Sequence, residues 1–82
     1  MVTVLQAGGL RVVIFVDDHE PAHVHVFGDG QAKIQLEGAR GGVEVVWTKG
    51  MSRGEARKAL RLVRDRRQFL QTRWEEFHGR AD

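Results

Sequence analysis

The stretch that decides the fold is HVHVFGDGQAKIQLE, residues 23–37. Apolar and polar side chains alternate on both sides of Gly28-Asp29-Gly30, as in strands with one buried face, and glycines permit a tight turn between them. The stretch therefore predicts a β-hairpin. The alternation divides its side chains between a core face with Val24, Val26, Ala32, Ile34 and Leu36 and a more polar face with His23, His25, Lys33 and Gln35.

Further elements are predicted on either side of this hairpin. β-Branched and apolar runs predict strands at 2–5, 11–16 and 43–47, giving a small, mostly antiparallel sheet of four to five strands within residues 2–48. From Ser52 onward, apolar residues recur at three- and four-residue steps. This predicts one long C-terminal helix over about 53–78, about 39 Å in length. Strands first and a helix last define an α+β fold.

The ends of the predicted helix have recognisable signals. Ser52 and Glu55 have the spacing of a capping box, in which Glu55 reaches back to the N-cap residue. Gly79 is a natural stop. The polar run at 65–68 interrupts the apolar stripe, so a bend at that point stays open as an alternative.

The composition is that of one small globular domain over residues 1–82. Hydrophobic residues make up 41% and charged residues 29%, which excludes a disordered tail as the main structure. The chain has no cysteine, which excludes a disulfide framework, a zinc ribbon and a thiol nucleophile. No apolar run approaches the roughly 20 residues of a membrane span, and no signal-peptide pattern is present. A cytoplasmic protein without membrane contact is expected.

Charge is distributed unevenly along the chain. Residues 1–51 have four basic and six acidic side chains, whereas residues 52–82 have nine basic and five acidic ones. An excess of cations on a helix indicates an acidic partner, which is either nucleic acid or the acidic face of another protein. The candidate nucleic-acid-binding residues are Arg57, Lys58, Arg61, Arg64 and Arg67. A solvated helix face without a partner is the alternative.

Three histidines fall within seven residues, beside several carboxylates. His19, His23 and His25 are candidate ligands of a divalent metal, because two imidazoles on one strand face need only a third histidine or a carboxylate. His23 and His25 are also candidate catalytic residues for acid–base cleavage of RNA, with Lys33 stabilising the developing charge. The plainer alternative is a pair of strand histidines hydrogen-bonded to neighbouring carboxylates.

Several of these segments together resemble a known family. They are Thr3-Val4-Leu5 with Gly8-Gly9, Glu20-Pro21-Ala22-His23-Val24-His25-Val26, Gly28-Asp29-Gly30, Ala32-Lys33 and the segment 50–55. The chain resembles the prokaryotic family of domain of unknown function 4160, whose members carry Pro-Pro-His-Val-His-Val, with Ala22 in place of the second proline. The resemblance implies no settled activity and no catalytic residue. It implies a place in two-gene, toxin–antitoxin-style operons, and some members are labelled transcriptional regulators.

The leading hypothesis is an interaction component of a toxin–antitoxin-like pair. It would contact a small partner protein from a neighbouring gene, and RNA or DNA through the basic helix. A small His-dependent ribonuclease-type toxin, a divalent-metal-binding domain and a transcriptional regulator are the alternatives. No helix-turn-helix pattern is visible, which disfavours the regulator. A core this small, without disulfides, also favours self-association into a homodimer.

Overall fold

The computed structural model describes residues 1–78 as a five-stranded sheet followed by two helices. The strands are β1 (Val2–Ala7), β2 (Leu10–Ile14), β3 (His23–Phe27), β4 (Gln31–Gln35) and β5 (Glu44–Lys49). They cross the sheet in chain order, and each neighbouring pair is antiparallel. The predicted α+β class and the hairpin over 23–37 are confirmed. The predicted helix stop at Gly79 lies outside the described residues.

The register of the strands divides the side chains of the sheet between two faces. One face has Val12, Val24, Val26, Ala32 and Ile34, which form the core together with the buried side chains of the helices. The other we call the open face. Two rows cross it from β1 to β5: Thr3, Val13, His25, Lys33 and Trp47, and then Gln6, Arg11, Phe27, Gln31 and Lys49.

The C-terminal segment forms two helices, so the prediction of one long helix over 53–78 is wrong. They are α1 (Arg53–Asp65) and α2 (Arg67–His78), and Arg66 between them has φ −116° and ψ 24°, outside the helical region. A strand of five or six residues spans about 17–20 Å, whereas one straight helix over 53–78 would extend about 39 Å. The break keeps Leu70 and Trp74 of α2 in the same core as Ala59 and Val63 of α1.

The start of α1 is fixed by a cap and by a contact with the hairpin. Ser52 Oγ accepts a hydrogen bond from the Glu55 N–H at 3.0 Å, which confirms Ser52 as the N-cap. The Glu55 carboxylate does not complete the expected capping box. It accepts hydrogen bonds from the N–H groups of Asp29 at 2.9 Å and Gly30 at 3.4 Å. The first turn of α1 is therefore attached to the β3–β4 turn.

Both edge strands of the sheet are irregular. In β1, Thr3 pairs with Val13 and Leu5 with Val12, which leaves one extra residue between them. In β5, Trp47 pairs with Lys33 and Val45 with Ile34, which again leaves one residue unpaired. Each irregularity has the form of a β-bulge, in which two residues of one strand oppose one of its neighbour. Neither helix of the described chain is long and apolar enough to cross a bilayer.

Candidate functional site

The connection between β2 and β3 brings a carboxylate back over the open face. The Asp18 N–H donates to the Phe15 carbonyl at 3.1 Å, so the chain turns back directly after β2. The Glu20–Pro21 peptide bond that follows is cis. The Asp18 side chain lies against His23, the first residue of β3, and is half-buried there.

His23 uses both of its ring nitrogens. Its Nδ1 lies 2.9 Å from the Pro21 carbonyl oxygen, and its Nε2 lies 2.7 Å from Asp18 Oδ2. A carbonyl only accepts hydrogen bonds, so Nδ1 carries a proton. An ionised carboxylate also only accepts. Two acceptors do not bond to each other, so the contact between Nε2 and Oδ2 requires a proton or a cation between these two atoms. The ring is 5% exposed, so solvent does not replace either partner.

His25 lies beside this pair on the same strand face. Its Nε2 is 3.6 Å from Asp18 Oδ2, and its ring centroid is 5.4 Å from that of His23. The Phe15 ring meets it edge-on at 4.6 Å. Burial, followed by repulsion from His23, lowers the pKa of His25 below its usual range, although Asp18 opposes the shift. A lowered pKa favours the neutral form of the ring, which has a nitrogen lone pair.

The structure therefore brings Asp18, His23 and His25 together, and we call them the His–Asp cluster. One ligand atom from each lies within 4.8 Å of the other two. His19, the third histidine that the sequence suggests as a ligand, is exposed and has no hydrogen-bond or ion-pair partner among residues 1–78. The group that the structure brings within ligand distance is two histidines and a carboxylate, and ligation by the three histidines stays a prediction.

The His–Asp cluster lies in a concavity of about 350 Å³ on the open face. Lys33 of β4 is directly opposite His25, and Trp47 of β5 is directly opposite Lys33. All of these side chains line the concavity, together with Gln35. The Trp47 ring is 5.9 Å from the His25 ring and is 37% exposed. An amine, an aromatic ring and the His–Asp cluster are therefore consecutive across three strands.

The end of α2 supports the other side of the His–Asp cluster. The Trp74 ring lies 5.1 Å from the His23 ring, and the His78 ring stacks on Trp74 at 3.6 Å. His78 Nδ1 donates to the Trp74 carbonyl at 3.0 Å. The Trp74 indole is 2% exposed and belongs to the core, as its apolar spacing predicts. The position of His23 thus depends on the packing of α2.

The predicted nucleic-acid-binding residues divide into two groups. Arg57, Lys58, Arg61 and Arg64 are exposed along α1, and none of them makes an ion pair with a carboxylate among residues 1–78. Arg67 differs, because its guanidinium donates to the carbonyls of Leu36 at 2.8 Å and Gly41 at 2.9 Å. The side chain of Arg67 is therefore occupied in holding the β4–β5 loop. Binding by the other four stays a prediction.

Comparison with known protein families identifies the family of this chain. Residues 9–75 match Domain of unknown function (DUF4160). The chain belongs to this family. No curated protein and no solved structure matches the chain. The resemblance that the sequence suggests is thus confirmed. The His–Asp cluster, Lys33, Trp47 and α1 all lie within the DUF4160 range.

Proposed function

We propose that this DUF4160 domain binds a divalent transition-metal ion through His23, His25 and Asp18. The observation that carries the proposal is the approach of the three ligand atoms to within 4.8 Å of one another. Tetrahedral ligation at about 2.0–2.2 Å separates ligand atoms by about 3.3–3.6 Å. The distance from Asp18 Oδ2 to His25 Nε2, 3.6 Å, is already in this range. The distance from Asp18 Oδ2 to His23 Nε2, 2.7 Å, would have to increase by less than 1 Å.

The surroundings of His23 also suit a metal ligand. Imidazoles that bind metals usually donate their other N–H to a carbonyl or carboxylate, which fixes the ring orientation. His23 does so through Nδ1 to the Pro21 carbonyl, at 2.9 Å. Two imidazoles and one carboxylate favour zinc or a similar ion over magnesium, which prefers oxygen ligands. Three protein ligands also leave a coordination position for water or a substrate.

Metal analysis and thermal unfolding test this proposal. Protein purified without a histidine tag and stripped with a chelator is expected to take up about one equivalent of Zn²⁺. At a zinc concentration about 100-fold above Kd, binding stabilises the fold by about 2.7 kcal/mol, which raises Tm by roughly 10–20 °C for a domain of this size. Mg²⁺ is expected to leave Tm unchanged. Absence of both uptake and a Tm shift would refute the proposal.

Matched variants decide which residues are ligands. Asp18→Asn and His25→Ala are expected to lose the zinc-dependent Tm shift. His19→Ala is expected to keep it, because His19 is exposed and outside the His–Asp cluster. Each variant is also unfolded in EDTA, which separates loss of metal binding from loss of stability. Loss of the shift in His19→Ala with retention in Asp18→Asn would instead support the three-histidine set that the sequence predicts.

The acid–base alternative, with His23 and His25 as catalytic residues of a ribonuclease-type toxin, stays a prediction. The same protein preparations distinguish it from metal chemistry. RNA cleavage in EDTA that is absent in His25→Ala would favour acid–base catalysis. Cleavage only after addition of metal would favour the metal site.

The role in a toxin–antitoxin-like pair and the role of a transcriptional regulator also stay predictions. Support for a partner comes from the four cations along α1 that have no carboxylate partner among residues 1–78, and these cations would attract an acidic protein surface. Co-purification with the protein of the neighbouring gene is the expected result. Reversing the charges at Arg57 and Arg61 should remove it. Recovery of the wild-type chain alone would contradict a stable pair.

A further inference from the structure

The open face combines two kinds of side chain that recognise nucleic acids. Arg11, Lys33 and Lys49 supply positive charge from β2, β4 and β5, and Phe27 and Trp47 supply aromatic rings from β3 and β5. Because strand side chains on one face project in parallel, these groups form a single surface rather than diverging as on a helix. The buried side chains of α1 and α2 join the opposite face. On the open face Arg11, Trp47 and Lys49 are exposed, whereas Val13 is buried.

Each of the two aromatic rings is accompanied by a cation. The Arg11 guanidinium carbon is 5.5 Å from the Phe27 ring centroid, and the Lys49 ammonium is 6.0 Å from that of Trp47. Phe27 is half-buried, whereas Trp47 is 37% exposed. Trp47 is therefore the side chain with ring surface available for stacking, and cations adjoin it on the same face.

The charge on the open face is not cancelled by carboxylates of the strands. Glu44, opposite Gln35, is the one carboxylate that the five described strands place on this face. Its Oε1 accepts a hydrogen bond from the Ala39 N–H at 3.0 Å, so it is directed to the β4–β5 loop. Asp18 belongs to the His–Asp cluster. The strands thus offer Lys33 and Lys49 beside the exposed Trp47 ring, and Arg11 beside the Phe27 ring on the same face.

We infer that the open face binds single-stranded nucleic acid, with a base stacked on Trp47 and phosphates contacting Lys33, Lys49 and Arg11. A sheet with exposed aromatic rings stacks unpaired bases, and every base has a ring face to stack. The bases of a duplex are already stacked on one another and do not reach such a surface. The inference is independent of the proposed metal site, which lies beside Lys33 on the same face.

Fluorescence anisotropy tests this surface. The probes are a fluorescein-labelled RNA and a DNA of the same mixed sequence, about ten nucleotides long, titrated in EDTA so that metal does not contribute. Trp47→Ala is expected to weaken binding about 5- to 100-fold, and Trp47→Phe to retain most of it, because a ring still stacks. Lys33→Ala and Lys49→Ala are each expected to lower the salt dependence, with a log–log slope smaller by about 0.7.

Matched variants on the helices provide the comparison. Phe69 of α2 is 38% exposed, close to the value for Trp47, and Arg66 lies 5.0 Å from its ring. Phe69→Ala is expected to leave Kd within about twofold of wild type, and the double change Arg57→Ala and Arg61→Ala tests the competing prediction that α1 binds the nucleic acid. Far-UV circular dichroism confirms that each variant is folded.

The outcomes separate the possible surfaces. Binding that the sheet variants weaken, and the helix variants do not, supports the inference, and tighter binding of one probe identifies RNA or DNA as the ligand. Loss of binding in the α1 variants alone would overturn it and favour the basic helix. Equal binding of a duplex of the same sequence would also overturn it, as would the absence of binding to either single strand.

Discussion

At the scale of single residues, Gly30 is placed where two connections of the chain meet. A Cβ atom at this position would clash with the carbonyl group of Gly50 and with the carbonyl oxygen of Lys49. The obstacle is backbone, which cannot move aside as a flexible side chain does. The turn between β3 and β4 is therefore packed against the connection from β5 to α1, with no room for a methyl group.

Gly30→Ala is expected to destabilise the domain by about 1–3 kcal/mol, because the added methyl displaces one of these two connections. Gly42→Ala is the matched control. A Cβ at Gly42 meets no atom within 4 Å, so its change is expected to stay within about 0.5 kcal/mol. Urea unfolding followed by far-UV circular dichroism measures both. Equal midpoints for the two variants would show that the close approach has no energetic cost.

The His–Asp cluster was predictable from the sequence only in part. Alternation places His23 and His25 on one face, and the structure confirms that arrangement. The choice between Asp18 and His19 was not predictable, because it depends on a turn that returns Asp18 to the sheet through its bond to Phe15. Asp18 and His19 are consecutive residues of a polar connection, where no apolar periodicity indicates which side chain points toward the sheet. Lys33 and Trp47 become neighbours of His25 only through the register of three strands.

At the scale of elements, Arg67 connects the first residue of α2 to the loop that follows β4. Its two hydrogen bonds, to Leu36 and Gly41, span a sequence separation of more than 25 residues. Glu37 adds a weaker contact, at 3.8 Å. The loop also has its own bonds, from the N–H groups of Gly38 and Gly41. The guanidinium thus holds the loop against the helix break.

Arg67→Ala is expected to lower the free energy of unfolding by about 1–3 kcal/mol, since two carbonyls lose a charged donor. Arg67→Lys should recover little, because one ammonium cannot reproduce the geometry of the guanidinium fork. Amide exchange at Gly38 and Gly41 is expected to accelerate in both variants. Arg64→Ala, which removes an exposed arginine from α1, provides the control and should change neither quantity. Unchanged exchange in Arg67→Ala would contradict the proposed role in the loop.

The hairpin and α1 followed from local patterns, whereas the break between the helices did not. Alternation and the turn glycines specify β3 and β4 directly, and Ser52 marks the beginning of α1. The apolar stripe continues from Val63 to Leu70 after seven residues, close to two helical turns, so periodicity alone predicts a continuous helix. The break at Arg66 reflects the limited length of the sheet beneath it, which is a property of the assembled core.

At the scale of the whole molecule, the sheet separates a closed side from an open one. The two tryptophans illustrate the difference. Trp74 is 2% exposed and packs in the core between α2 and the sheet, whereas Trp47 is 37% exposed on the open face. The tryptophan that contributes to the core and the tryptophan with exposed ring surface therefore lie on opposite sides of the sheet.

Trp74→Ala is expected to lower the free energy of unfolding by about 3–5 kcal/mol. For a domain of this size the total stability is of the order of 4–12 kcal/mol, so the loss is a large part of it. Trp47→Ala is expected to change stability by no more than about 0.5 kcal/mol. Urea midpoints of the two variants, measured in EDTA, give the comparison. A similar loss of stability in both variants would show that Trp47 on the open face stabilises the fold as much as Trp74 in the core.

The bulges in β1 and β5 affect how this molecule meets its neighbours. An open sheet has two edges with unpaired backbone groups, which invite strand addition and, at high concentration, fibre formation. A bulge twists the edge strand and disturbs the even spacing of its N–H and C=O groups, and Lys49 adds charge at one end. Continuation of the sheet into another molecule is thereby disfavoured. We expect the protein not to aggregate through its strand edges when it is concentrated. Any association between copies is expected to involve side chains on the faces of the molecule.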